Sequence, residues 1–239
     1  IDYALLQMDH VNGTKVHGQI AQPAAPGKYP AMLILQWAGG PYRLWSPWVV
    51  DRAAEGWIAL NIQPHDVLPT EPQSYYDSLP QRLKNYGSIG AGDREKSYFV
   101  EMYLRGVRAA DYLTKLRNWD GKTLLVTGGS MGGQQSLAVA GLHPKVTHMI
   151  VDEPAGCDIG AGKVGRQVGY PFFLPADSAA MEAGQYIDGI HFAPRIKATS
   201  LVSMGFVDIV TPPTGIWAAF NLIKGPKEAA PMPEAPHNN

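Results

Sequence analysis

The run Gly128-Gly129-Ser130-Met131-Gly132 holds more chemistry than any other stretch of this chain. It reads G-x-S-x-G. Lys122 to Thr127, just before it, is a short and mostly apolar run predicted as a strand, and Gln134 to Leu142, just after it, is predicted as a helix. A serine at a sharp turn between strand and helix is pushed out over the sheet edge, where its hydroxyl can attack an acyl carbonyl. The glycines have a physical role, because the turn is strained and the flanking backbones crowd each other. The helix behind the serine aims free N–H groups at the negative charge that develops on an attacked carbonyl. The competing reading of Ser130 is a plain helix N-cap beside a glycine-rich turn.

A serine hydroxyl is a poor nucleophile near neutral pH and needs a base within hydrogen-bond reach. For a serine on such a turn, the acid and then the base follow it in chain order. Of the seven histidines, His10, His17 and His65 precede Ser130 and fall out of order. His143 closes the helix after the serine and His148 falls inside a predicted strand, so both read as structural. His191 comes before the strand-like run Thr199 to Met204, too early for a base that follows the acid. His237 remains, in a Pro-Glu-Ala-Pro-His loop; its bland alternative is a disordered tail histidine.

Asp208 follows Thr199 to Met204 across Gly205-Phe206-Val207. Its carboxylate is therefore expected on the same sheet edge as the serine, where it can orient the His237 ring and stabilise its imidazolium. The alternative is an acid that merely favours the helix opened by Pro212-Pro213. Asp152 and Glu153, after the preceding strand, are the runner-up acids. The Met131 N–H is the expected first oxyanion donor. The second is expected from the loop after Pro30 to Gln36, at Ala38 or alternatively Trp37.

The elements that must position these residues alternate from residue 30 onward. Thr14 to Gln22 partly alternates and predicts an edge-type strand. Pro30 to Gln36 and Trp57 to Ile62 are the near-continuous apolar runs of buried parallel strands. Ser46 to Gly56 is a predicted helix with Ser46 as N-cap and Pro47 at N1. Lys96 to Asn118 is a long helix with Phe99, Met102, Tyr103, Val107, Ala110 and Leu113 on one stripe. Val146 to Val151 and Thr199 to Met204 are further strands, and Pro213 to Ile223 a further helix. Gln63 to Gly92 reads as a long surface excursion, Asp158 to Asp188 as a lid or insertion outside the core, and Ala229 to Pro236 as a Pro/Ala-rich tail. The pattern predicts a single α/β domain with a mostly parallel sheet and helices on both faces.

At 239 residues, with 45% hydrophobic and 17% charged residues, the chain can bury the core of one such domain. Its net charge of −1, without a basic stripe, argues against nucleic acid or an anionic membrane as partner. Its apolar runs are strand-sized, so no membrane span is expected. The single cysteine, Cys157, excludes an internal disulfide framework. No metal-ligand spacing and no nucleotide-binding loop is read, so neither metal nor cofactor is expected. Trp37, Tyr42, Trp45, Phe172 and Phe173 sit in predicted loops that could ring the sheet edge, where aromatic faces suit a sugar ring or an acyl group; the alternative is that they pack long loops onto the core. The chain opens at Ile1 and closes at Asn239, and flanking sequence is expected beyond one or both ends, which leaves the compartment open.

These residues resemble the acetyl xylan esterase / cephalosporin-C deacetylase group of α/β-hydrolases. Gly13-Thr14-Lys15-Val16-His17 with Gly27-Lys28-Tyr29-Pro30-Ala31 is similar to that family's entry into the sheet, and Gly128 to Gly133 to its serine turn. Met204-Gly205-Phe206-Val207-Asp208 with Pro212-Pro213-Thr214 is similar to its acid segment. The resemblance implies the α/β-hydrolase fold, with Ser130 as nucleophile, Asp208 as acid, His237 as base and a backbone donor near Ala38. It implies a serine esterase that removes short acyl groups, acetyl foremost, from a small-molecule or oligosaccharide ester. A homo-oligomer is compatible with it. Met131 departs from the family's usual Gln, Gln36-Trp37-Ala38 from its His-Gly-Tyr, and Asn238 from its Glu. The rival readings are a peptidase or larger-acyl hydrolase on the same fold, and a catalytically inactive binding module.

Overall fold

In the computed structural model, which describes residues 1–37, 43–79 and 81–237, eight strands form one sheet. In chain order these are β1 (Asp2–Asp9), β2 (Lys15–Gln22), β3 (Tyr29–Leu35), β4 (Ile58–Ile62), β5 (Trp119–Gly129), β6 (His148–Asp152), β7 (Thr199–Gly205) and β8 (Lys227–Met232). Their order across the sheet is β1-β2-β4-β3-β5-β6-β7-β8. β1 pairs antiparallel with β2, and β2 with β4; every pairing from β4 to β8 is parallel.

The helices are α1 (Pro47–Ala54), α2 (Gln73–Asp77), α3 (Gln81–Lys84), α4 (Tyr98–Leu113), α5 (Met131–Leu142), α6 (Ser178–Gly184), α7 (Gly189–Phe192) and α8 (Pro213–Leu222). α1 places Val49 and Ala53 against Ala21, Ala59 and Ile34 on one face of the sheet. On the other face, Leu33, Leu35, Leu124 and Val126 meet Ala109, Leu113, Leu137 and Val139 of α4 and α5, and Ile216 and Ala219 of α8 join the same core. On the α1 face, Ile150 and Leu201 of β6 and β7 are exposed.

Two elements and one residue differ from the sequence expectations. Lys15–Gln22 is not an edge strand. β1, half-polar and largely exposed, takes the edge and covers it. The first half of the Pro/Ala-rich tail belongs to β8, paired residue for residue with β7 from Ser200–Lys227 to Gly205–Met232. Pro231 is tolerated there because an edge strand leaves some N–H groups unneeded. His148 is not packed in the sheet but stands exposed at the start of β6, with Nδ1 2.9 Å from the Thr147 hydroxyl.

The two irregular segments also pack more tightly than their composition suggested. Leu83 and Tyr86 of the 63–92 excursion and Ile159, Phe173, Met181 and Ile187 of the 158–188 segment are buried together with Phe99, Met102 and Met131. This second apolar cluster seats both segments on α4 and on the start of α5. Among the described residues no helix is long and apolar enough to cross a membrane.

Candidate active site

The parallel register brings the strand ends to one level. Gly129 of β5 is opposite Asp152 of β6, and Asp152 is opposite Ser203 of β7. Ser130 follows with φ 52° and ψ −120°, a left-handed conformation that a residue with a side chain rarely adopts. Its neighbours show why the turn needs glycine. A Cβ on Gly128 would lie 2.6 Å from the Leu35 carbonyl oxygen, and one on Gly132 2.3 Å from the same atom. The end of β3 thus runs directly against the turn. Ser130 N–H donates to the Asp152 carbonyl at 2.9 Å, and Ala155 N–H donates to the Ser130 carbonyl at 2.9 Å. These two bonds tie the turn to the chain just past β6.

His237 reaches this turn from the loop after β8. Its Nε2 is 2.9 Å from Ser130 Oγ, and its Nδ1 is 2.7 Å from Asp208 Oδ2. Asp208 is buried, and its carboxylate is fixed on every side. Oδ1 accepts from the N–H groups of Val210 at 2.7 Å and Thr211 at 2.9 Å, and Oδ2 accepts from the Thr211 hydroxyl at 2.6 Å. A carboxylate held this way carries the ring in one tautomer, with the Nδ1 proton toward Asp208 and the Nε2 lone pair toward the serine. The three residues predicted from chain order are therefore joined through His237, which contacts both Ser130 and Asp208. Chemically, such an arrangement can take the serine proton as the oxygen attacks and return it to a leaving group.

Of the oxyanion residues, Met131 is the first residue of α5, where a backbone N–H has no partner within its helix. Ala38 lies outside the described residues, as does Tyr42 of the aromatic set. Gln135 Nε2 donates to the Gln36 carbonyl at 3.1 Å, which holds the chain leaving β3 against α5.

The remaining aromatic residues fall into two groups on either side of the serine turn. Trp37 and Trp45 both pack edge-on against Trp48, with ring centroids at 5.2 and 6.0 Å. Trp37 borders a cavity of about 520 Å³ that reaches Gly128, Gly129 and Asp152. Phe172 and Phe173 line a larger cavity of about 1090 Å³ between the 63–92 and 158–188 segments, together with Tyr76, Tyr86 and Tyr170.

Sequence reasoning did not anticipate what joins that cavity to the serine turn. The Met131 side chain is fully buried, and its Sδ accepts from the Tyr86 hydroxyl at 3.0 Å, while the Tyr86 and Tyr170 hydroxyls are 2.6 Å apart. Burial, then the neighbouring Tyr86, pushes the Tyr170 phenol pKa up. Cys157 is no rival nucleophile, because burial, then Asp188 and Asp158, push its thiol pKa well up. Thr211 was also missed, and nothing in its sequence context announces its bond to Asp208.

The runner-up acids have separate fates. Asp152 turns away and accepts from the Ser203 hydroxyl. Glu153 is buried, and its Oε2 lies 3.4 Å from His237 Nδ1. Ligand-type atoms of Glu153, Asp208 and His237 lie within 4.8 Å of one another, close enough to grip a cation. Asp208 Oδ2 and His237 Nδ1 are, however, already bonded to each other.

The sheet order, the serine turn and the loops at the strand ends define an α/β-hydrolase. The family model for acetyl xylan esterase (AXE1) matches residues 3–167 and 170–239, and the chain belongs to that family. The acetyl esterase Axe7A of Xylanibacter ruminicola is 32% identical over 248 residues, which cover 99% of this chain and 55% of that protein. The chain thus spans about half the length of this curated relative. The acetyl xylan esterase structure from Paenibacillus sp. R4 superposes with a TM-score of 0.84 at 25% identity, covering 99% of this chain and 79% of that one. Acetyl xylan esterase 1 from Thermoanaerobacterium sp. JW/SL YS485 gives 0.75 at 20% identity, over 100% and 84% of the two chains, a likeness of fold.

Proposed function

We propose that this chain is a serine esterase that removes short acyl groups, acetyl foremost, from carbohydrate-like esters. The observation that carries the reading is the single imidazole hydrogen-bonded to both Ser130 and Asp208. Ser130 Oγ attacks the ester carbonyl while His237 Nε2 takes its proton. The Met131 N–H, with a second donor from the Trp37–Ala38 stretch, holds the oxyanion. His237 returns the proton to the departing alcohol, and then activates the water that releases the acid. The preference for acetyl and for sugar rests on family membership. The aromatic surfaces beside the turn are consistent with it, since aromatic faces stack on sugar rings. The 158–188 segment, which lines the larger cavity, serves in this reading as a lid.

The test is turnover of para-nitrophenyl acetate by the parent and by Ser130→Ala, followed by a series of longer acyl chains and by acetylated xylo-oligosaccharides. The reading expects activity that is lost in Ser130→Ala and falls with acyl length, and acetate release from the oligosaccharides. Equal rates in parent and variant overturn the nucleophile assignment, and a rate that rises with acyl length overturns the acetyl preference.

A further inference from the structure

Two carboxylates, not one, face the same nitrogen of His237. Asp208 Oδ2 is at 2.7 Å from Nδ1 and Glu153 Oε2 at 3.4 Å. The second distance is beyond a good hydrogen bond but well inside the range where a carboxylate acts on an imidazolium through its charge. Glu153 comes from the end of β6 and Asp208 from the loop after β7, so two separate elements converge on the ring.

Glu153 is held in that place at a conformational cost. It has a φ of 42°, in the left-handed region. Its N–H donates to the Ser203 carbonyl at 3.2 Å, one residue from the turn-binding carbonyl of Asp152. The chain opposite makes room for it, because a Cβ on Gly205 would sit 2.8 Å from Glu153 Oε1. A buried acid on a strained backbone, with a glycine opposite, is held at a cost, and the His237 ring lies beside it.

We propose that Glu153 is a positioning and charge-stabilising residue for His237, a second acid that supports the imidazolium formed when Ser130 gives up its proton. This rests on the reading of Ser130, Asp208 and His237 given above. During attack the proton moves from Ser130 Oγ to His237 Nε2, and no proton leaves Nδ1. The positive charge so created lies against Asp208, which bonds Nδ1, and Glu153, which lies beside it. Among the described residues, the groups facing the ring include Ser130 from the turn, Glu153 just after β6, and Asp208 and Thr211 from the loop before α8. Arg166, which shares a small surface cavity with Asp208, is taken up by Asp158 at 2.6 Å.

A nearby anion favours the protonated form of an imidazole, so removing the Glu153 charge should displace the acid limb of activity to lower pH. The experiment is the pH profile of kcat/KM on para-nitrophenyl acetate for the parent, Glu153→Gln, Glu153→Asp and Ser130→Ala, each with its thermal unfolding recorded. The expected result for Glu153→Gln is an acid limb displaced to lower pH by about one unit, together with a plateau lowered several-fold. Glu153→Asp, which keeps the charge but draws it back, moves the limb in the same direction by less, and answers the question if Gln is not accepted in the fold. An acid limb that coincides with the parent's in the variant that folds, while Ser130→Ala is inactive, overturns this proposal and leaves the esterase reading intact. A Ser130→Ala variant with the parent's rate overturns that reading itself.

Discussion

Asp208 has no freedom to turn away from His237. Two backbone N–H groups and the Thr211 hydroxyl hold its oxygens, and the ring nitrogen completes the set. Asp208→Asn keeps the shape but offers an amide N–H where the carboxylate accepted one, which favours the wrong ring tautomer. We expect kcat to fall by about 10⁴-fold with KM little changed. A steady-state comparison on an acetyl ester checks it, and a loss confined to KM would contradict the assigned role. That Ser130, Asp208 and His237 would meet was legible in the sequence as a geometry, because the chain order of a strand-end serine leaves few candidates. Thr211 and the Met131 thioether contacts were not legible. The Thr211 bond to Asp208 is local, between residues 3 apart in sequence, but lies in an irregular turn without a sequence signature, while the Tyr86–Met131 contact joins side chains 45 residues apart.

The elements were legible where burial imposes a pattern. β3, β4 and α4 are apolar in the expected period, because each has a face or both faces in the core. β8 was not legible. Its Lys-Glu-Ala-Ala-Pro-Met sequence carries little strand preference, and pairing with β7 alone makes it a strand. Its register matters for the site, since it delivers the loop that carries His237. The packing of the serine turn against β3 gives a prediction at this scale. Gly132→Ala drives a Cβ into the Leu35 carbonyl and should destabilise the fold by roughly 1–3 kcal/mol. Thermal unfolding measures this, and an unchanged midpoint would show that β3 can withdraw. Tyr86→Phe removes the phenol shared by Met131 and Tyr170. It should lower stability by about 1 kcal/mol and raise KM for a bulky alcohol more than for para-nitrophenyl acetate. Equal changes for both esters would separate that cluster from substrate binding.

At the scale of the whole molecule, two buried groups set opposing pH dependences. Burial, then Arg105, lowers the His65 pKa from 6.5 to about 4, and its Nε2 is buried without a hydrogen-bond partner among the described residues. The unfolded chain binds this proton first, so the His65 contribution is intact above pH 6.5 and is lost as the pH falls toward 4, by up to roughly 3 kcal/mol. Asp188 runs the other way. Burial outweighs its three backbone hydrogen bonds and raises its pKa to about 6. Its contribution is full below the ordinary carboxylate pKa of 3.8 and is lost as the pH rises toward 6. Between pH 4 and 6 the two slopes offset each other. His65→Phe removes one of them, so its stability relative to the parent should improve steadily as the pH falls from 7 to 4. Denaturant unfolding across that range tests this, and parallel stability curves would contradict it. Neither group was legible as a titrating site, because both sit in the irregular segments whose burial the sequence did not announce.

Covalent capture tests whether His237 activates Ser130 as a nucleophile. A para-nitrophenyl organophosphate is expected to release nitrophenolate in a single burst and to leave one covalent adduct, located by peptide mass mapping on Ser130. The burst should be absent in Ser130→Ala and strongly slowed in His237→Ala. An adduct on any other residue, or a burst that survives in Ser130→Ala, would contradict it.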